Sequence, residues 1–177
     1  MTDTETIDAY GTLSAPDTLT IRRILPGPVE RVWSYLTESD LRRKWLAAGD
    51  MDMTVGAPFE LVWRNNELTD PPGKRPDGLT GEHRMESRIT TLEPPHQLGF
   101  TWGADGEVTI SLSAQGSDVL LTLVHRRLPE GEMRQMIGAG WHAHLDLLVA
   151  RASGTVPPPF WDAWVGLHQE YKTRIPL

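Results

Sequence analysis

Two hydrophobic periods divide this chain. Val29, Val32, Trp33 and Leu36 recur at the three- and four-residue spacing of one helical face. Pro28 stands just before them, at the first turn of a helix, where its missing N–H costs nothing. TESDLRRKWL (37–46) predicts a second short helix, capped by Thr37 or Ser39, with Leu41 and Trp45 on one side. Ahead of these helices, Tyr10–Leu13 and Thr18–Leu25 are β-rich and separated by the turn signal SAPD, which predicts a hairpin. Residues 1–9 are expected to be disordered.

From about residue 58 the period falls to two. FELVWRN places Phe59, Leu61, Trp63 and Asn65 on one face of a strand. In GEHRMESRI (81–89), Glu82, Arg84, Glu86 and Arg88 alternate with His83, Met85, Ser87 and Ile89. Opposite charges at alternate positions make a solvated outer face, so His83 and Met85 are expected to point inward. In LEPPHQLGFTW (92–102), two consecutive prolines cannot both donate to a ladder and mark a corner. Leu98, Phe100 and Trp102 then share one face. EVTISLSA (107–114) and VLLTLVH (119–125) follow, with His125 in line with Leu121 and Leu123. Strands joined by short turns predict an antiparallel meander with one buried side.

After Glu130 the helical period returns. Ile137, Trp141, His144, Leu145, Leu148 and Ala152 line one side of a long helix to about Ser153, and Gly154 is a natural stop. Beyond a TVPPP linker, Phe160, Trp164, Leu167 and Tyr171 mark a last helix. The predicted fold class is α+β: a curved antiparallel sheet wrapped around the long helix, with an extra terminal helix. The expected organisation is one domain over 10–153, with a Pro-rich linker and helix at 154–177 packed on it.

Composition narrows the function. The 177 residues carry a net charge of −7, which argues against nucleic-acid and anionic-membrane partners. No cysteine is present, so disulfides, thiolate nucleophiles and Cys-based zinc sites are excluded. The polar, acidic MTDTETIDAY is not a signal peptide, and a cytoplasmic location is the default expectation. Seven Trp against three Phe and three Tyr is unusual, and Trp suits both cores and cavity walls.

Candidate chemistry is sparse. His142 and His144 lie about 200° apart on a helix, so they do not form a metal pair; His142 instead meets Asp146 four residues on, as a surface pair. No nucleophile elbow or phosphate loop is present, and no cofactor is expected. His83, His125, His144, Ser87 and Asn65 could supply polar groups to an apolar cavity, or each could be a satisfied core residue. Trp45, Trp63 and Trp102, near element ends, are candidates for its wall. Trp33 and Trp141 read more simply as core. The long loop 66–78, rich in Pro and Gly, is expected to border the mouth as a lid.

LPGPVERVWSYLTESDLRRKWL (25–46), TTLEPPHQLGFTW (90–102), VLLTLVHRRL (119–128) and AGWHAHLDLL (139–148), in that order, resemble the START-like, helix-grip superfamily. The resemblance covers roughly residues 18–153 and is to the branch of the heat-shock-protein-90 ATPase activator. It implies a β–α–α–meander–α fold whose sheet and long helix enclose a cavity, used in many relatives for a lipophilic molecule. The leading expectation is a non-catalytic binding protein for an apolar or aromatic small molecule. The expected contact set is Trp45, Trp63, His83, Met85, Phe100, Trp102, His125, Trp141 and His144. Two alternatives stay open: a co-chaperone activating a heat-shock chaperone ATPase, and a cyclase or dehydratase using His83, His125 or His144. The last helix either packs on the outside or supports a homodimer.

Overall fold

The computed structural model describes residues 7–176, so the expectation for residues 1–6 lies outside the described residues. Strands β1 (Thr12–Ala15) and β2 (Thr18–Pro26) form the first hairpin, followed by helices α1 (Val29–Thr37) and α2 (Ser39–Arg42). The meander consists of β3 (Pro58–Trp63), β4 (His83–Glu93), β5 (Gln97–Trp102), β6 (Gly106–Gln115) and β7 (Asp118–Arg126). Two helices complete the chain, α3 (Glu132–Ser153) and α4 (Phe160–Arg174). All seven strands join one antiparallel sheet in the order β1-β2-β7-β6-β5-β4-β3.

The register explains where the core lies. Ile21 pairs with Leu123, Leu123 with Ile110 and Ile110 with Leu98, which makes one buried apolar row across four strands. A parallel row runs Leu19, His125, Val108, Phe100, Ile89, all buried, with a single imidazole among hydrocarbons. Helix α3 packs across this face through Trp141, Leu145 and Leu148. On the opposite side of the sheet Glu82, Arg84, Glu86 and Arg88 are exposed, as their alternation predicts. Arg84 Nη1 donates to Glu60 Oε1 at 2.9 Å, and Arg64 Nε to Glu82 Oε1 at 3.1 Å.

Three local expectations are corrected. Helix α2 ends at Arg42 rather than running to Leu46. The Arg42 side chain is buried and turns inward, donating to the carbonyls of Leu36, Thr37, Ala47 and Gly49, and so pulls the chain into turns. Strand β1 begins at Thr12, not Tyr10, because Tyr10 leaves the ladder to pack on His142 and Tyr171 with Arg174 over its ring. His142 is not a surface residue: it is 5% exposed. Its Nε2 still reaches Asp146 Oδ2 at 3.3 Å, but its Nδ1 meets the Tyr171 hydroxyl at 2.8 Å beneath α4 and the N-terminal segment. Gly154, at φ 72°, ends α3 as expected from a residue that tolerates the left-handed region.

Candidate functional site

The ends of three strands, one face of α3 and the start of α4 surround a cavity of about 410 Å³. Trp63 closes β3 and Trp102 closes β5, and His83 opens β4 opposite Trp63. The indoles of Trp63 and Trp102 meet edge to face at 5.4 Å, and Trp102 lies 5.2 Å from Trp141. From α3 come Met133, Met136, Ile137, Gly140, Trp141 and His144, the three- and four-residue spacing of a single face. Phe160, Trp161 and Trp164 on α4 form the opposite wall, while Leu46, Asn65 and Gly78–Thr80 complete the rim.

Gly140 keeps this space open. A Cβ there would find its nearest neighbour, Trp164 Nε1, only at 4.0 Å, so any larger side chain would grow into the hollow.

Helix α4 is fixed by the loop that precedes β4. Its first turn has no side-chain cap of its own. Instead the Phe160 N–H donates to Thr69 Oγ1 at 2.9 Å and the Trp161 N–H to the Pro72 carbonyl at 2.9 Å. These two contacts satisfy N–H groups that a helix start otherwise leaves unpaired. Trp161 Nε1 donates to Asn66 Oδ1 at 2.7 Å, and Asp162 Oδ1 accepts from the Lys74 N–H at 3.2 Å. The loop 66–78 therefore holds α4 through residues 66–74 and brings Gly78 to the cavity rim.

The two inner histidines are held neutral. His144 Nδ1 lies 2.9 Å from the Trp45 carbonyl, and its ring packs 5.0 Å from Phe160. Burial pushes its pKa down to about 4, only partly offset by that carbonyl. His125 accepts a hydrogen bond at Nδ1 from Trp141 Nε1 at 3.0 Å, and burial lowers it to about 4 as well. Its Nε2 is buried and has no partner among the described residues.

Of the nine residues expected at the site, Trp63, His83, Trp102, Trp141 and His144 line the cavity; Asn65 joins them. His83 is exposed, at the mouth rather than inside, with its ring against Trp63 at 5.5 Å. The other four lie elsewhere. Trp45 is fully buried in the core, donating to the Tyr35 carbonyl at 2.8 Å. Phe100 packs on Phe59, Met85 lies farther along β4 opposite Leu61, and His125 sits behind Trp102 and Trp141. Ser87 is likewise outside the cavity, donating to the Thr101 carbonyl at 2.6 Å. Trp141, expected in the core, does both jobs, bridging to His125 and forming wall. Phe160, Trp161 and Trp164 were not anticipated as lining, although their helical spacing is readable; only the packing of α4 reveals which face they turn to the cavity.

Among the described residues no three His, Asp or Glu side chains gather as a metal-ligand set, and no helix is long and apolar enough to cross a membrane.

Comparison with known proteins places this architecture. A Bordetella parapertussis protein solved by solution NMR is 34% identical, with a TM-score of 0.78 over 98% of this chain and 95% of its own. CalU16 from Micromonospora echinospora is 25% identical, with a TM-score of 0.65 over 89% of this chain and 88% of its own. An Enterococcus faecalis protein of unknown function, 20% identical with a TM-score of 0.67 over 91% and 86%, has the same fold. A search of curated proteins found no match. Residues 26–153 match the family described as activator of Hsp90 ATPase homolog 1-like protein. The chain belongs to that family, with its START-like helix-grip fold.

Proposed function

We propose that the protein binds an apolar, aromatic small molecule in the cavity between the Trp63–Trp102 end of the sheet, α3 and α4. One observation carries this reading: five of the seven Trp residues wall an open hollow of about 410 Å³ instead of packing it shut. Volumes of roughly 300–1,000 Å³, mostly apolar with few polar groups, suit small-molecule sites. An unfilled aromatic hollow forgoes burial worth about 25 cal/mol per Å² of apolar surface, which a guest with ring faces recovers.

His125 and His144 suit binding better than acid–base chemistry. A general base works best with a pKa near the working pH, and His125 and His144 are both held near 4. Their neutrality suits a receptor.

Titration of the purified chain with naphthalene, followed by Trp fluorescence and by thermal unfolding, tests the proposal. Saturable one-to-one binding with a raised Tm is expected, since a ligand that binds only the folded state stabilises it. Flat titrations with naphthalene and with larger fused-ring compounds would remove it. Stimulation of a chaperone ATPase, the activity in the family's name, would be a property of the outer surface and is measured separately with the host chaperone.

A further inference from the structure

The apolar wall sets the size of the guest, and the few polar atoms facing it set its chemistry. A carbonyl oxygen can only accept, so the contact between His144 Nδ1 and the Trp45 carbonyl fixes the ring hydrogen on Nδ1. In the neutral ring Nε2 then holds a lone pair. Asn65, also lining the cavity, has a buried Oδ1 with no partner among the described residues. Buried acceptors of this kind ordinarily find a donor. The indole N–H groups of Trp141 and Trp161 do not supply one, because they are engaged by His125 and Asn66. Among the described residues no Lys, Arg, Asp or Glu lines the cavity.

We propose, building on the binding role above, that the cavity selects neutral ring compounds carrying a hydrogen-bond donor, a phenolic hydroxyl or a ring N–H. His144 Nε2 accepts from that donor. A carboxylate is disfavoured twice. It would lose its hydration in an apolar hollow without a cation, and at His144 Nε2 it would face a lone pair instead of a donor. Fatty acids and other anionic amphiphiles are therefore poor guests, and the burial that lowers the His144 pKa keeps this selectivity through the neutral pH range.

The test compares four two-ring probes on the full chain at pH 7 by fluorescence titration: naphthalene, 2-naphthol, 2-methoxynaphthalene and 2-naphthoate. The methyl ether keeps the oxygen but lacks the donor. 2-Naphthol is expected to bind about tenfold more tightly than the ether, the effect of one buried hydrogen bond, with 2-naphthoate weakest. His144→Phe should close the gap between naphthol and ether. Equal affinities for those two, or 2-naphthoate as the tightest probe, would overturn the donor selectivity while leaving the binding role in place. No binding of any probe would overturn both.

Discussion

At the scale of single residues, the imidazole inside the sheet is the point of greatest consequence. His125 is accommodated in an apolar row because Trp141 donates to its Nδ1. Trp141→Phe keeps most of the ring but orphans that nitrogen, an expected loss of about 1–3 kcal/mol in urea denaturation. Trp141→Ala also opens a void and should cost about 3–5 kcal/mol; a loss below about 1 would show that this side chain does not bridge helix and sheet. The same histidines govern pH dependence. His125 and His144 fall from 6.5 to about 4 on folding because burial penalises their charged form. Between those values the unfolded chain takes up protons that the folded chain refuses, so stability is full above about pH 6.5 and declines as pH drops toward 4. Two such groups give a slope of up to about 2.7 kcal/mol per pH unit, read from urea midpoints between pH 5 and 6.5. Carboxylates held low, such as Glu82 with its hydrogen bonds from Arg84 and Arg64, act at lower pH, while His168, lowered chiefly by burial, adds to the same slope. A flat profile would contradict the burial of His125 and His144 in neutral form. Sequence was a good guide to side for most strand positions, His83 at the start of β4 being exposed instead of inward. Glu82 and Arg84 lie outward and Trp63 and Trp102 lie toward the cavity because a period of two leaves no third choice. It was a poor guide for Trp45, whose position depends on the chain bending around the buried Arg42 guanidinium, an event no local pattern announces.

At the scale of elements, α3 carries two glycines with opposite meanings. A Cβ on Gly140 would enter open space, whereas one on Gly138 would meet Ile175 Cδ1 at 3.1 Å and Tyr171 Cδ1 at 3.2 Å. Gly140→Ala should therefore gain the full helix-propensity benefit of about 0.5–1 kcal/mol. Gly138→Ala should fall clearly short of it, because the end of α4 must shift; thermal melts of the pair decide. Gly140→Leu should keep the fold and abolish ligand binding by filling the hollow. The seam between α4 and the loop can be tested alone. Thr69 Oγ1 both accepts from the Phe160 N–H and donates to the Pro71 carbonyl, so Thr69→Val leaves two groups unpaired. A loss of about 1–3 kcal/mol is expected, with faster amide exchange at the start of α4. The existence of α3 and α4 followed from periodicity and the end of α3 from Gly154, but α4 runs on to Arg174 and the packing of the two helices did not follow. Helical spacing names a face; it does not say what covers it.

At the scale of the whole molecule, the N-terminal segment and the C-terminal helix are tied through one buried cluster. Tyr171 accepts from the Gly11 N–H at 2.8 Å and, with its own hydrogen, meets His142 Nδ1. The other imidazole nitrogen reaches Asp146, which Arg23 also binds at 3.0 Å, and Arg23 Nη1 donates to the Ala9 carbonyl at 2.6 Å. Burial would raise the Asp146 carboxyl, but the His142 hydrogen bond and the Arg23 charge outweigh it and hold it below its ordinary range. Tyr171→Phe should therefore loosen both ends of the chain together, seen as concurrent gains in amide exchange near Gly11 and in α4.

The span matched by the family ends at residue 153, yet Phe160, Trp161 and Trp164 come after it. One side of the cavity is thus built from a helix beyond that span, while the sheet and the long helix furnish the rest. Changing Phe160 or Trp164 would reshape that side, whereas replacing the whole terminal segment would also strip Tyr171 and Ile175 from the core.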